Sequence, residues 1–133
     1  MARGSRQARR VVSGLTLDTE DFVKLAAHAA ADKKASERVM LDLRKVASFT
    51  EYFLLLTGTS SRQVQAIADA IEENLRENGK RPLHIEGKTG AEWVLMDYGD
   101  FIVHVFTGPS RKFYDLERLW RDAGRVELGD GEG

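Results

Sequence analysis

Three groups of residues in this 133-residue sequence have the types and spacing to do chemistry. The first is Gly58, Thr59, Ser60 and Ser61, placed just ahead of a run with helical periodicity. Backbone amides at a strand-to-helix junction point outward and suit an anion. The same spacing lets Ser60 cap the helix by reaching the amide of Gln63, and a capped helix start is the favoured reading. The second group is Asp97 and Asp100, which bracket Tyr98 and Gly99. As a pair they could bind a cation or act as acid and base. As turn formers their oxygens accept backbone amides, and as recognition groups they offer carboxylates to a basic partner. Turn formation ranks first, recognition close behind and catalysis a distant third. The third group is His28, His84 and His104, which fall on separate elements. His84 and His104 could approach across a sheet, but no His-x-x-x-His spacing and no cysteine accompanies them, and His104 between Val103 and Val105 reads as a hydrogen-bonded structural residue.

The Gly58–Ser61 run also resembles the Gly-Ser entry of nucleotidyltransferases, which raises a nucleotide-binding or nucleotidyltransferase enzyme as the alternative function. Nucleotide transfer needs paired carboxylates on a neighbouring strand to hold magnesium against phosphate. No Asp-x-Asp follows on any predicted strand, and Asp69, Glu72 and Glu73 belong to the polar face of a helix. There is no Gly-x-Ser-x-Gly and no Walker loop. The sequence therefore reads as a non-enzyme, with no cofactor, no metal site and no catalytic residues expected.

The elements that must position these residues follow from periodicity. A helix starts at Asp18 or Thr19, with Glu20 and Asp21 in its first turn and an apolar stripe of Phe22, Leu25, Ala26 and Ala29. Residues 39–43 alternate as a strand toward one side of a sheet, and 50–58 carry a continuously apolar run, 52–57, as a central strand covered on both faces would. Val64, Ile67, Ala68, Ile71 and Leu75 then mark the clearest helix, closed by Asn78 and Gly79. Pro82 confines the next strand, 82–86, to an edge or its own first position. Residues 87–90 form a turn, and strands 93–96 and 101–106 make a hairpin with Gly99 supplying positive φ. Ser110 caps a last helix carrying Phe113, Leu116 and Trp120. The sum is a single-domain α/β fold, a mixed five-stranded sheet with about three helices, which cannot obviously cover all of both faces.

Length allows one core and not two ordinary domains. Residues 1–17 read as a flexible basic arm, 18–123 as the domain and 124–133 as a disordered acidic tail. A formal net charge of −1 gives no global field toward nucleic acid or an acidic membrane. The absence of cysteine excludes a disulfide framework. No apolar run reaches the roughly 20 residues of a membrane helix. Arg3, Arg6, Arg9 and Arg10 lack the apolar segment of a signal peptide, so a cytoplasmic protein is expected.

The 93–96 strand has apolar residues on both faces: Trp93 and Leu95 on one, Val94 and Met96 on the other. Both need cover, from helices or from a partner. An exposed Trp93–Tyr98 patch flanked by carboxylates has the makeup of an interface hot spot. Arg111, Arg118 and Arg121 add charge that could touch RNA, although solvated helix charge explains them as well.

The segments TGTSSRQVQAIAD, WVLMDYGD, IVHVF and RKFYDLERLW, in this order, resemble the ribosomal silencing factor (RsfS/Iojap) family, and the likeness runs from about Asp18 to Ala123. The resemblance implies a nucleotidyltransferase-like fold without the catalytic carboxylates. It also implies binding to large-subunit ribosomal protein fourteen, which blocks subunit joining and represses translation in starvation. Trp93, Asp97, Tyr98 and Asp100 are the partner-facing residues so implied, with Leu95 and Tyr114 as weaker members. Peripheral contact with ribosomal RNA and pairing of two copies through the same face are further expectations.

Overall fold

The computed structural model describes residues 10–12 and 15–129. Two short strands, β1 (Arg10–Val12) and β2 (Leu15–Leu17), pair antiparallel as a separate hairpin with Arg10 opposite Leu17. The hairpin lies within the flexible basic arm expected over 1–17, of which residues 1–9 and 13–14 lie outside the described residues. Three-residue strands at 10–12 and 15–17 carry too little alternation for periodicity to reveal.

Helix α1 (Thr19–Asp32) opens on a reciprocal box in which Asp18 accepts from the amide of Asp21 and Asp21 from that of Asp18. Its buried face is Phe22, Val23, Ala26, Ala27, Ala29 and Ala30. The alanines carry little bulk, so α1 lies close against the sheet and its neighbour helix. Strand β3 (Ser36–Asp42) follows, then β4 (Tyr52–Gly58), whose seven residues are all buried, as a two-sided central strand requires. Helix α2 (Ser61–Glu77) is capped by Ser60, whose hydroxyl accepts from the amide of Gln63 at 3.1 Å. Gln63 does not return the bond to Ser60. Its side chain takes the amide and hydroxyl of Thr59 and donates to the carbonyls of Lys33 and Lys34, tying the end of α1 to the start of α2.

Strands β5 (His84–Glu86), β6 (Trp93–Asp97) and β7 (Phe101–Thr107) form an antiparallel meander. β7 then lies parallel to β4, with Leu54 opposite Val103. β5 is at the sheet edge, as Pro82 predicts. A further strand, β8 (Gly124–Val126), pairs with β3 and makes the sheet six-stranded, in the order β5-β6-β7-β4-β3-β8. Five strands were expected because the Gly-rich, acidic composition of 124–133 masks this short strand. The domain therefore extends past Ala123, and 130–133 lie outside the described residues.

The segment after β7 also departs from expectation. Helix α3 (Gly108–Tyr114) starts two residues before Ser110, with Pro109 in its first turn, where a missing amide costs nothing. Ser110 is buried inside the helix instead of capping it. The chain breaks at Asp115, φ +48°, and resumes as a single turn, α4 (Leu116–Leu119). The spacing of Phe113, Leu116 and Trp120 fits one helix, and periodicity cannot register one residue passing into the left-handed region.

Helices α1 and α2 seal one sheet face over a core containing Phe22, Met40, Leu54, Leu56, Ile67, Ile71, Val94, Met96, Phe101, Val103 and Val105. The turn at Gly87 sets where β6 begins. Gly87 has φ +88°, and a Cβ there would collide with the carbonyl oxygen of Trp93. Gly87→Ala is therefore expected to destabilise the protein by at least about 2 kcal/mol, read as a lowered urea midpoint.

Candidate functional site: the second face of the sheet

Strict alternation along β6 and β7 builds the other face. Trp93, Leu95 and Asp97 project from β6, opposite Phe106, His104 and Ile102 of β7 in register. Phe53 and Leu55 of β4 and Leu41 of β3 continue the same face. Its cover is thin. Leu116, Trp120 and Ala123 pack down from the α3–α4 side, and Ala47 does so from the β3–β4 connection. Trp120 meets Phe53 edge-on at 5.9 Å between centroids and Phe49 at 5.8 Å. Tyr114 lies 4.5 Å from Trp93, which stacks on Phe106 at 5.2 Å.

Much apolar surface is left uncovered around this face. Phe113 is 80% exposed, Leu119 70%, Phe49 58% and Tyr114 49%, while Trp93 and Leu95 are half-buried. The sequence places Phe113 on one helical spacing with Leu116 and Trp120, yet only the latter two pack against the sheet. Phe113 points out because adjacent residues on a helix diverge by about 100°, so Phe113 and Tyr114 cannot both pack down. The exposed Phe49, Phe113 and Leu119 are site candidates that sequence reasoning missed. The adjacent aromatics at 113 and 114 were the available signal.

The hairpin tip is held by polar bonds. Asp97 Oδ1 accepts from the Gly99 amide at 2.8 Å, the turn-forming role ranked first for it. The Thr50 hydroxyl donates to the Gly99 carbonyl at 2.9 Å, and the Glu51 amide to the Asp100 carbonyl at 2.9 Å. Asp97 Oδ2 lies 4.0 Å from His84 Nδ1, and Asp100 Oδ2 lies 3.8 Å from Lys80 Nζ. Both carboxylates are partly exposed, so their pairing in this state is loose.

Tyr98 corrects an expectation. It is 3% exposed, stacked on Phe101 at 4.8 Å between centroids, and belongs to the core on the α1–α2 side. Burial pushes its phenol above the usual range. Its ring anchors the hairpin from beneath and adds nothing to the exposed patch. The structure thus gathers Trp93, Leu95, Asp97 and Tyr114 on or beside one face, keeps Asp100 at the adjacent tip, and sends Tyr98 to the other side.

The histidines separate as their elements dictate. His28 is exposed on α1, and His84 faces Asp97 across β5–β6 and pairs with Glu86 at 3.1 Å, so it does not meet His104. His104 is buried, and its Nδ1 accepts from the indole Nε1 of Trp93 at 3.0 Å. Burial pulls the imidazole down from its usual 6.5 to about 3. The unfolded chain therefore takes up the proton first, and stability attributable to His104 is present above pH 6.5 and declines as pH falls toward 3. Denaturation midpoints are expected to drop over that interval, with a flatter profile between pH 6.5 and 4.5 in His104→Asn.

Arg111, read from sequence as a solvated or RNA-facing charge, is buried. Its Nη1 donates to the Glu37 carbonyl at 2.6 Å and the Thr57 hydroxyl at 2.9 Å, and its Nε and Nη2 form a fork on Glu117 at 3.1 and 2.9 Å. It clamps α3 to α4 and both to the sheet. Arg118 and Arg121 are exposed.

The turn into α2 has structural duties of its own. A Cβ on Gly58 would stand 3.0 Å from Val64 Cγ2 and 3.1 Å from its amide, so the glycine lets the helix start against the strand. Among the described residues no three of His, Cys, Asp or Glu come together where they could hold a metal ion, and no helix is long and apolar enough to cross a membrane.

Residues 16–132 match the family described as ribosomal silencing factor during starvation, RsfS. The chain is 41% identical over 115 residues to the ribosomal silencing factor RsfS of Bacillus subtilis (strain 168), covering 86% of this chain and 98% of that protein. Against the chloroplast protein Iojap of Zea mays it is 34% identical over 110 residues, 80% of this chain and 46% of the plant protein. A crystal structure of a Chromobacterium violaceum protein superposes with a TM-score of 0.77 at 34% identity, over 88% of this chain and 100% of that one. One from Bacillus halodurans gives 0.73 at 38%, over 82% and 99%. With both helices, the whole sheet and the thin cover of its second face inside the matched span, the chain belongs to the ribosomal silencing factor family.

Proposed function

We propose that this chain docks its second sheet face on ribosomal protein fourteen of the large ribosomal subunit and, by occupying that place, keeps the small subunit from joining. The observation that supports it most is the contrast between the two faces. One is sealed by α1 and α2, while the other leaves Phe113, Tyr114 and Leu119 exposed and Trp93 and Leu95 partly exposed, with two partly exposed carboxylates on the same hairpin. An apolar centre with an acidic margin complements the basic surface of a ribosomal protein. Exclusion requires affinity and volume and no reaction, so the chain acts as a regulator and not as an enzyme. Its place of action is the cytoplasm, where translation represses in starvation. Arg118 and Arg121 meet ribosomal RNA at the margin. In the absence of ribosomes two copies pair through the same apolar face, so dimer and complex compete. Co-sedimentation with purified large subunits, and light scattering of subunit joining, test the reading. A protein that neither sediments with large subunits nor slows joining would overturn it.

A further inference from the structure

The contact between Trp93 and His104 has a feature that folding does not account for. His104 Nδ1 accepts the indole N–H of Trp93, so in the neutral ring the proton sits on Nε2. Nε2 is buried and has no hydrogen-bond partner. The imidazole lies edge-on to Phe53 at 4.5 Å and parallel to Phe106 at 6.0 Å between centroids, with Leu55 and Leu95 as its cross-strand neighbours. A buried donor without a partner is a standing cost, and a leucine or phenylalanine of similar size would remove it. What an apolar residue could not do is hold the indole. Trp93 is only half-buried, on a face whose cover is two short helices, and its ring contacts with Phe106 and Tyr114 do not fix the direction of the indole N–H as an acceptor does.

We propose that His104 is a positioning residue for partner recognition: its Nδ1 fixes the Trp93 indole in the single orientation that the docking face presents. The inference rests on the docking reading above and adds to it a residue that the partner never touches. Binding then starts from an ordered ring, and the entropy of ordering it is settled during folding. The rest of the contact set follows from this. Trp93 held by His104 is the base on which Tyr114 lies, so the orientation of one indole also sets where the exposed Tyr114 ring stands.

The test compares His104→Leu, which has no acceptor, with His104→Asn, whose side-chain oxygen can stand in for Nδ1. Full-length protein is used throughout. Three properties are read: the urea midpoint, the Trp93 indole N–H resonance of the free protein, and affinity for purified large subunits by co-sedimentation. His104→Leu is expected to be at least as stable as wild type, to lose the hydrogen-bonded indole shift, and to bind about 10-fold more weakly. His104→Asn is expected to keep the shift and most of the affinity. A merely structural histidine would instead lose stability and affinity together. His104→Leu with an intact fold and wild-type affinity overturns the proposal. If that variant does not fold, His104→Asn decides alone: shift and affinity kept or lost together support the proposal, and one kept while the other is lost overturns it. Trp93→Ala is run alongside: if it too binds like wild type, the docking reading itself fails, which separates the two failures.

Discussion

Trp93→Ala is expected to weaken large-subunit binding by about 2 kcal/mol, roughly 30-fold, while leaving the protein folded. The ring stacks on Phe106 and supports Tyr114 and is partly exposed, so truncation removes contact area on the open face. It also strips His104 Nδ1 of its donor, which adds a modest cost already present in the free protein. Asp97→Lys is expected to lose at least about 10-fold by setting a positive charge against a basic partner. Because Asp97 also accepts from the Gly99 amide, Asp97→Asn is the control: it keeps an oxygen for the turn and drops only the charge. Its deficit should be smaller and should shrink further as salt rises. Wild-type co-sedimentation of both Trp93→Ala and Asp97→Lys would place the docking surface elsewhere.

The second large effect concerns the cover of that face. Arg111→Met is expected to cost about 3 kcal/mol in urea denaturation, because Glu117, the Glu37 carbonyl and the Thr57 hydroxyl all lose a donor in a partly or wholly buried setting. Much of that loss is the stranded carboxylate. Arg111→Met/Glu117→Gln should therefore recover part of it, a recovery that simple loss of packing would not give. The Arg111 guanidinium holds the Glu117 carboxyl below its usual 4.5. With the folded value depressed, the clamp contributes fully above pH 4.5 and fades as pH falls through the folded pKa. In Arg111→Met this acid-dependent loss should be largely absent. Arg125 Nη2 stands 3.8 Å from the same Glu117 oxygen, exposed, and offers only a weak substitute.

Why some elements were legible in the sequence and others were not can be followed residue by residue. The start of α2 was readable because cap, period and terminator agree: Ser60, then Val64 to Leu75 at helical spacing, then Gly79. The β6–β7 hairpin was readable because apolar runs of strand length flank Gly99, which does take positive φ. Tyr98 was misplaced by treating it as loop. Counting by twos from Val94 and Met96 puts it on their side, and the strand parity continues one residue past the last ladder pair. The α3–α4 break was not legible because it depends on one backbone state at Asp115. The burial of Arg111 was hidden as well. Its partners Glu37 and Thr57 come from strands 74 and 54 residues away, and only the assembled sheet brings them under α3.

The opposite phase of the two hairpin strands has a consequence for mutational tolerance. In β6 the even positions, Val94 and Met96, lie under α1 and α2 and the odd ones lie on the second face, whereas in β7 the odd positions 101, 103 and 105 lie under the helices and the even ones lie on the second face, where His104 and Phe106 are themselves buried. A saturation library scored separately for soluble yield and for ribosome capture should therefore show two interleaved combs. The comb that damages yield should occupy even numbers on one side of Gly99 and odd numbers on the other, with the buried Phe106 as an added tooth.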